Sequence, residues 1–360
     1  MKNHSDNQFD NQAPDTRKNH ARIISNWLFM VCAMIAGMIV LGGLTRLTNS
    51  GLSMVHWHPV TGWLPPLNDA AWAAVFDSYK QSPEYNDVNF GMSVDEFKGI
   101  FWLEFIHRLW GRTIGLVFFL PFIVFALRGW IDRRIAPSLV FFFVLGALQG
   151  GMGWFMVKSG LVDQPDVSQY RLTAHLGLAV LIYALMVRFA LRLRRGFDAV
   201  RPMLQDEVAS LRKRLVLLSY LVVITILSGG FVAGLDAGFT YNTFPLMDGQ
   251  LIPELLYDGE PFYISAFEDI MTVQFNHRVL AISTLIIIAL LWGMSMAVSL
   301  SQNQRRSMIF VVVAAVMQIA LGISTLLLVV PVSLATLHQF GAIVLLSTII
   351  YAIYTMEWDR

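Results

Sequence analysis

The stretch LEFIHRLWGR, residues 103–112, opens a long apolar run and returns in altered form as VQFNHRVLA at 273–281. Each copy carries a His-Arg pair, His107-Arg108 and His277-Arg278, and Glu104 of the first copy is matched by Gln274 in the second. An ionised side chain at mid-bilayer costs about 2.5–3.5 kcal/mol on insertion scales, less near the ends of a span, and usually faces the interior of a bundle. Two apolar segments that open with the same polar pair therefore point to a duplicated membrane protein with a functional interior.

The rest of the chain agrees. Of 360 residues 56% are hydrophobic, and the mean hydropathy is +0.57. Runs of about 20 apolar residues mark membrane-spanning helices. Eight are present, at about 24–44, 101–127, 136–156, 172–193, 215–234, 273–298, 308–330 and 334–355. The segment 1–22 is polar and without periodicity, which predicts a flexible tail. A cleaved signal peptide is not expected, because the next apolar run is too long and no small-residue cleavage site is evident. Cys32 is the single cysteine, so no intramolecular disulfide can form.

Lysine and arginine set the expected orientation. Segment 188–214 carries eight of them, whereas 235–276 carries none and has seven acids. Shorter basic connections at Arg128, Arg133 and Arg134 and at Arg305 and Arg306 alternate with basic-poor loops. The expectation is a multi-pass membrane protein with both termini cytoplasmic.

The halves align. GGLTRLTNSGL at 42–52 matches GGFVAGLDAGF at 229–239, and His107-Arg108 matches His277-Arg278. Gln149 and Gly153 match Gln318 and Gly322, and Thr-Ala-His at 173–175 matches Thr-Leu-His at 336–338. Each half has four spans, so both halves cross in the same sense. The predicted fold is all-α: two pseudo-symmetric four-helix bundles related by an axis along the membrane normal. Residues 1–22 are the tail, 23–194 the N-terminal bundle, 195–214 a basic cytoplasmic linker and 215–360 the C-terminal bundle.

Four of the eight histidines, His107, His175, His277 and His338, open the even-numbered spans near the outer face. Singly, each could be an interfacial imidazole bonded to a neighbouring helix. Together, one per even helix at similar depth, they fit two haem sites, His107 with His175 and His277 with His338, each pair giving both axial nitrogens to an iron. Zinc usually needs three or four protein ligands, and no cysteine or carboxylate cluster supplies them. Arg108 and Arg278 could neutralise haem propionates or equally reach lipid phosphates. The glycine pairs at 42–43, 150–151 and 229–230 admit a flat macrocycle or a close helix.

Glu104 lies on the His107 face of its helix, about one turn nearer the outside. Were both sites merely holding haem, either Glu or Gln would serve in both. The difference suggests divergence: one site reacts and the other stores or relays electrons. The competing reading is that Glu104 only pairs with Arg108 or Arg112.

With GGLTRLTNSGLSM at 42–54, EFIHRLWGR at 104–112, TAHLGLA at 173–179, QFNHR at 274–278 and TLHQFGA at 336–342, the chain resembles the haem A synthase family from about residue 24 to 356. The resemblance implies oxidation of one methyl group of haem O to a formyl group through a hydroxymethyl intermediate, giving haem A for cytochrome oxidase. It implies that His107 and His175 hold the substrate haem, that His277 and His338 ligate a tightly bound haem b, and that Glu104 is catalytic. Implied partners are haem O and haem A, membrane lipid, the enzyme that makes haem O and cytochrome oxidase assembly factors. A homo-oligomer stays open, and no nucleic-acid partner is expected. Some bacterial members carry a cysteine pair in an outer loop of the N-terminal half; this chain has none there, so it looks like the proteobacterial and mitochondrial branch. HWHPVTGWLPP at 56–66 suggests an ordered cap within the first outer loop, roughly 45–100. The alternatives are a di-haem, quinol-linked electron-transfer cytochrome and a haem carrier; neither uses Glu104.

Overall fold

The computed structural model describes residues 14–57, 61–160, 167–197, 199 and 202–359. Eight long helices are apolar enough to cross a membrane: α1 (Pro14–Leu47), α2 (Val94–Leu127), α3 (Ala136–Gly160), α4 (Gln169–Leu193), α5 (Asp206–Gly234), α6 (Ile270–Met296), α7 (Gln302–Leu327) and α8 (Val332–Trp358). The described residues form no named strand.

Most of these helices run past the apolar segments that announce them, because their ends are polar and capped. Ser93 and Glu96 make a reciprocal capping box at the start of α2, and Ser301 and Gln304 do so at α7. The Asp269 side chain accepts from the Thr272 N–H (2.7 Å) to start α6. Two boundaries move furthest. Helix α1 already begins at Pro14, inside the segment expected to be a tail, with His20 buried and stacked on Trp130 at 4.4 Å; residues 1–13 of that tail lie outside the described residues. Helix α5 begins at Asp206, so Arg212, Lys213 and Arg214 of the expected linker are helical.

In the N-terminal half α1 packs on α2, α2 on α3, α3 on α4 and α4 on α1; in the C-terminal half α5, α6, α7 and α8 repeat the same ring. The halves meet through α4 with α5, α1 with α8, and α4 with α8. Each such pair maps onto another, or onto itself, when the halves are exchanged. The core accordingly runs along α1, α4, α5 and α8, with Leu28, Met186, Leu215 and Leu346 fully buried. Helices α2, α3, α6 and α7 turn apolar side chains outward, among them Leu120, Phe155, Leu290 and Met317, as a lipid-facing surface requires.

The paired glycines divide two tasks. A Cβ on Gly43 would fall 1.7 Å from Gln339 Oε1 on α8, and one on Gly230 would fall 2.9 Å from Thr173 Oγ1 on α4. These second glycines let the halves approach. Gln339 Nε2 then donates to the Ile39 carbonyl (3.0 Å), and Arg46 pairs with Asp236 (2.9 Å) across the junction.

The first outer connection has its own core. Short helices Asp69–Tyr79 and Pro83–Asp87 pack Phe76 and Tyr79 against Phe97, Phe101 and Phe105 of α2. Helix α2, at 34 residues about 51 Å long, therefore stands above the bilayer and carries the connection on its outer turns.

Candidate functional site

Each four-helix ring places its two histidines at opposite corners. His107 is on α2 and His175 on α4; His277 is on α6 and His338 on α8. All four histidines are half-buried.

Every ring rests on a glycine of the preceding helix. A Cβ on Gly42 would lie 3.5 Å from His107 Nε2, and on Gly153, 3.2 Å from His175 Cε1. The corresponding distances are 3.1 Å from Gly229 to His277 and 2.8 Å from Gly322 to His338. The first glycine of each of the two matching pairs thus makes room for an imidazole, a use between the two foreseen for it. Gly150 and Gly151 meet nothing within 4 Å.

Gln149 and Gln318, one turn before Gly153 and Gly322, complete these corners. Gln149 Nε2 donates to the His175 carbonyl (3.1 Å) and lies 3.2 Å and 3.3 Å from Nδ1 and Nε2 of the same ring. Gln318 Nε2 donates to the His338 carbonyl (3.0 Å), while His338 Nδ1 is buried without a hydrogen-bond partner among the described residues. Ser228 Oγ is 2.8 Å from His277 Nδ1. Sequence reading aligned both glutamines and gave them no task, and it missed Ser228.

Glu104 is 2% exposed. Its Oε2 accepts from Ser53 Oγ (2.7 Å) and from the Met54 N–H (2.8 Å), and its Oε1 accepts from Arg108. Arg108 also donates to the carbonyls of Met54 (2.9 Å) and His56 (3.2 Å), beneath the Trp57 ring. Trp63 covers Arg112 at 6.0 Å. Part of the segment expected to form a cap is thereby tied to the Glu104 turn; residues 58–60 lie outside the described residues.

The C-terminal half repeats the clamp with one polarity reversed. Arg278 donates to the carbonyls of Tyr241 (2.6 Å) and Thr243 (2.8 Å), and to Gln274 Oε1 (3.1 Å). Gln274 Nε2, however, donates to the Ala237 carbonyl (2.9 Å). A carboxylate accepts only, whereas an amide both accepts and donates. Glu104 therefore does pair with Arg108, as the competing reading held, and the Glu-to-Gln difference matches donors offered by one loop and an acceptor offered by the other. Both arginines spend their guanidinium groups on loop carbonyls.

Among the described residues no three His, Cys, Asp or Glu side chains converge to hold a metal ion. The donor set is instead two opposed imidazoles per ring, seated on glycines, with one buried ring nitrogen unsatisfied. That arrangement fits a group which brings its own equatorial ligands, as haem does.

Comparison with known proteins adds the family. A model described as cytochrome oxidase assembly protein matches residues 25–350. The Heme A synthase of Nitrosospira multiformis is 51% identical over 91% of this chain and 92% of its own length. That of Paramagnetospirillum magneticum is 52% identical over 93% and 94%. The Heme A synthase COX15 of Arabidopsis thaliana is 44% identical over 92% of this chain and 74% of its own length.

Proposed function

The chain belongs to the cytochrome oxidase assembly protein family that contains the haem A synthases, and on that premise we propose that it oxidises the methyl group of haem O to the formyl group of haem A, through the hydroxymethyl form. The observation that carries the reading is an acid, Glu104, held one turn from His107 where the matching position beside His277 is Gln274. His107 and His175 hold the substrate haem at that ring. His277 and His338 hold a haem b, which supplies one-electron redox capacity within the same membrane protein.

Glu104 is oriented for proton work. A carboxylate offers about four acceptor positions; Ser53, Met54 and Arg108 take three. The remaining position, on Oε1, is free to take a proton, the usual office of a general base. Arg108 balances the charge before transfer, and the loop packed over both residues limits water. We further assign cytoplasmic termini, from the lysine and arginine alternation, and a bacterial inner membrane, from the likeness to bacterial relatives. The product, haem A, serves cytochrome oxidase assembly.

The deciding experiment is co-expression with a source of haem O, followed by extraction and chromatography of the cellular haems. A formyl haem is expected. Recovery of haem B and unchanged haem O alone, under conditions where an authentic synthase yields haem A, overturns the reading.

A further inference from the structure

His107 and His277 occupy matching places, yet they are supported differently. Ser228 Oγ lies 2.8 Å from His277 Nδ1 and 2.8 Å from the Thr225 carbonyl. A serine hydroxyl has one hydrogen to give and two lone pairs to offer. With the hydrogen directed at Thr225, Ser228 accepts from Nδ1–H, and the lone pair of the ring is then on Nε2. An iron held at Nε2 would require the same tautomer. The matching position in the N-terminal half, just before Gly42-Gly43, is Leu41, which offers no polar side-chain atom. Among the described residues His107 has no side-chain hydrogen bond.

The opposite ligands differ in the same sense. In the N-terminal ring the Gln149 amide sits against the His175 imidazole, 3.2 Å and 3.3 Å from its two nitrogens. In the C-terminal ring Gln318 reaches only the backbone of His338 and leaves the ring nitrogens alone. The side-chain contacts to the four imidazoles thus differ between the halves, with a serine on His277 in one and an amide beside His175 in the other.

We propose that Ser228 makes His277 a permanent iron ligand and that Leu41, in its place, leaves His107 exchangeable, so that one haem is retained while the other is turned over. The inference rests on the assignment of the four histidines given above. Hydrogen-bond partners of ligating histidines fix ring orientation and basicity, and their removal typically costs 10- to 100-fold in metal affinity. Ser228 is thus a positioning residue acting through His277.

The test uses the full chain in detergent with its own haem, and follows haem transfer to apomyoglobin. Ser228→Ala is expected to release haem b roughly 10- to 100-fold faster, with altered g-values in the low-temperature EPR spectrum of the ferric haem. Ser228→Thr keeps the hydroxyl and is expected to restore both. Leu41→Ser, loaded at the N-terminal ring with haem B as probe, is expected to release it more slowly by a similar factor. An unchanged rate and spectrum in Ser228→Ala overturns the proposal, as does accelerated loss that Ser228→Thr fails to rescue. His277→Ala separates the two levels: haem b retained there refutes the ligand assignment itself, whereas haem b lost there but not in Ser228→Ala refutes only the part given to Ser228.

Discussion

Arg108 and Arg278 grip the same two points of their respective outer loops: the carbonyls of Met54 and His56 for one, and those of Tyr241 and Thr243, at the matching positions of the second half, for the other. The duplication therefore preserves a clamp as well as a pair of ligands. Arg108 is the more buried of the two and is locked to an acid. Breaking a buried ion pair by removing one partner costs about 3–5 kcal/mol. Arg108→Gln is expected to free the first outer loop, raising its proteolytic cleavage rate at least tenfold and abolishing haem A formation. Arg278→Gln leaves no charge unpaired, and its effect is expected to be smaller. Equal sensitivity of the two loops in limited proteolysis would refute this difference.

Glu104 and Gln274 should not be interchangeable in either direction. Glu104→Gln puts an amide N–H where Ser53 Oγ and the Met54 N–H already donate. It should keep both haems while cutting formyl haem output by about 10²–10⁴-fold, the range of a lost acid–base group. Gln274→Glu sets a carboxylate against the Ala237 carbonyl, leaving a buried acceptor unsatisfied at about 1–3 kcal/mol. It is expected to lower the thermal midpoint without creating a second reactive site. Haem chromatography and a melting curve on each variant decide the matter.

The glycines under the imidazoles give a graded series. An added Cβ would approach the ring to 2.8 Å at Gly322, 3.1 Å at Gly229, 3.2 Å at Gly153 and 3.5 Å at Gly42. Displacing the ring tilts the ligand, so haem content per protein should fall most in Gly322→Ala, then Gly229→Ala and Gly153→Ala, and least in Gly42→Ala. Pyridine haemochrome assays on the purified variants read this directly. A series ordered by helix propensity instead of by distance would refute it.

Much of this was legible in the sequence, and the reason is physical. A span must stay apolar across the whole hydrocarbon layer, so eight helices and a fourfold recurrence of histidine could be read without coordinates. The ends of those helices could not, since Ser93 and Ser301 cap turns that hydropathy discards as polar. Nor could the partners of the histidines. Ser228 matters because α5 turns it toward α6, and a rotational phase between two helices leaves no trace in either one alone. Gln149 and Gln318 stood in the alignment of the halves, yet only their placement beside His175 and His338 gives them a task. The outer connection hid best: its aromatic core joins Phe76 and Tyr79 to a helix that reads as beginning at residue 101.

That connection also holds a buried acid. Glu84 is 4% exposed on the short helix Pro83–Asp87, near the Tyr79 hydroxyl, which in turn accepts from Asn89 Nδ2 (2.7 Å). Burial, and to a smaller extent the negative charge of Glu104, push its carboxyl up to about 7, against a lowering contribution from Tyr79. An acid whose folded-state value is raised stabilises the folded form while protonated. That contribution is whole below the ordinary carboxylate range of about 4.3, declines as pH rises, and is gone once pH passes the folded value. Local order in residues 69–92 should therefore weaken between about pH 4.3 and 7 and level off above. Hydrogen exchange of peptides from this segment, corrected for intrinsic rates, should show protection at pH 5.5 several-fold higher than at pH 8. In Glu84→Gln, which stays neutral throughout, protection should not vary with pH. Protection in the native chain that is level across the same range would mean that the Glu84 carboxylate is already accommodated, and that the aromatic core alone holds the loop on α2.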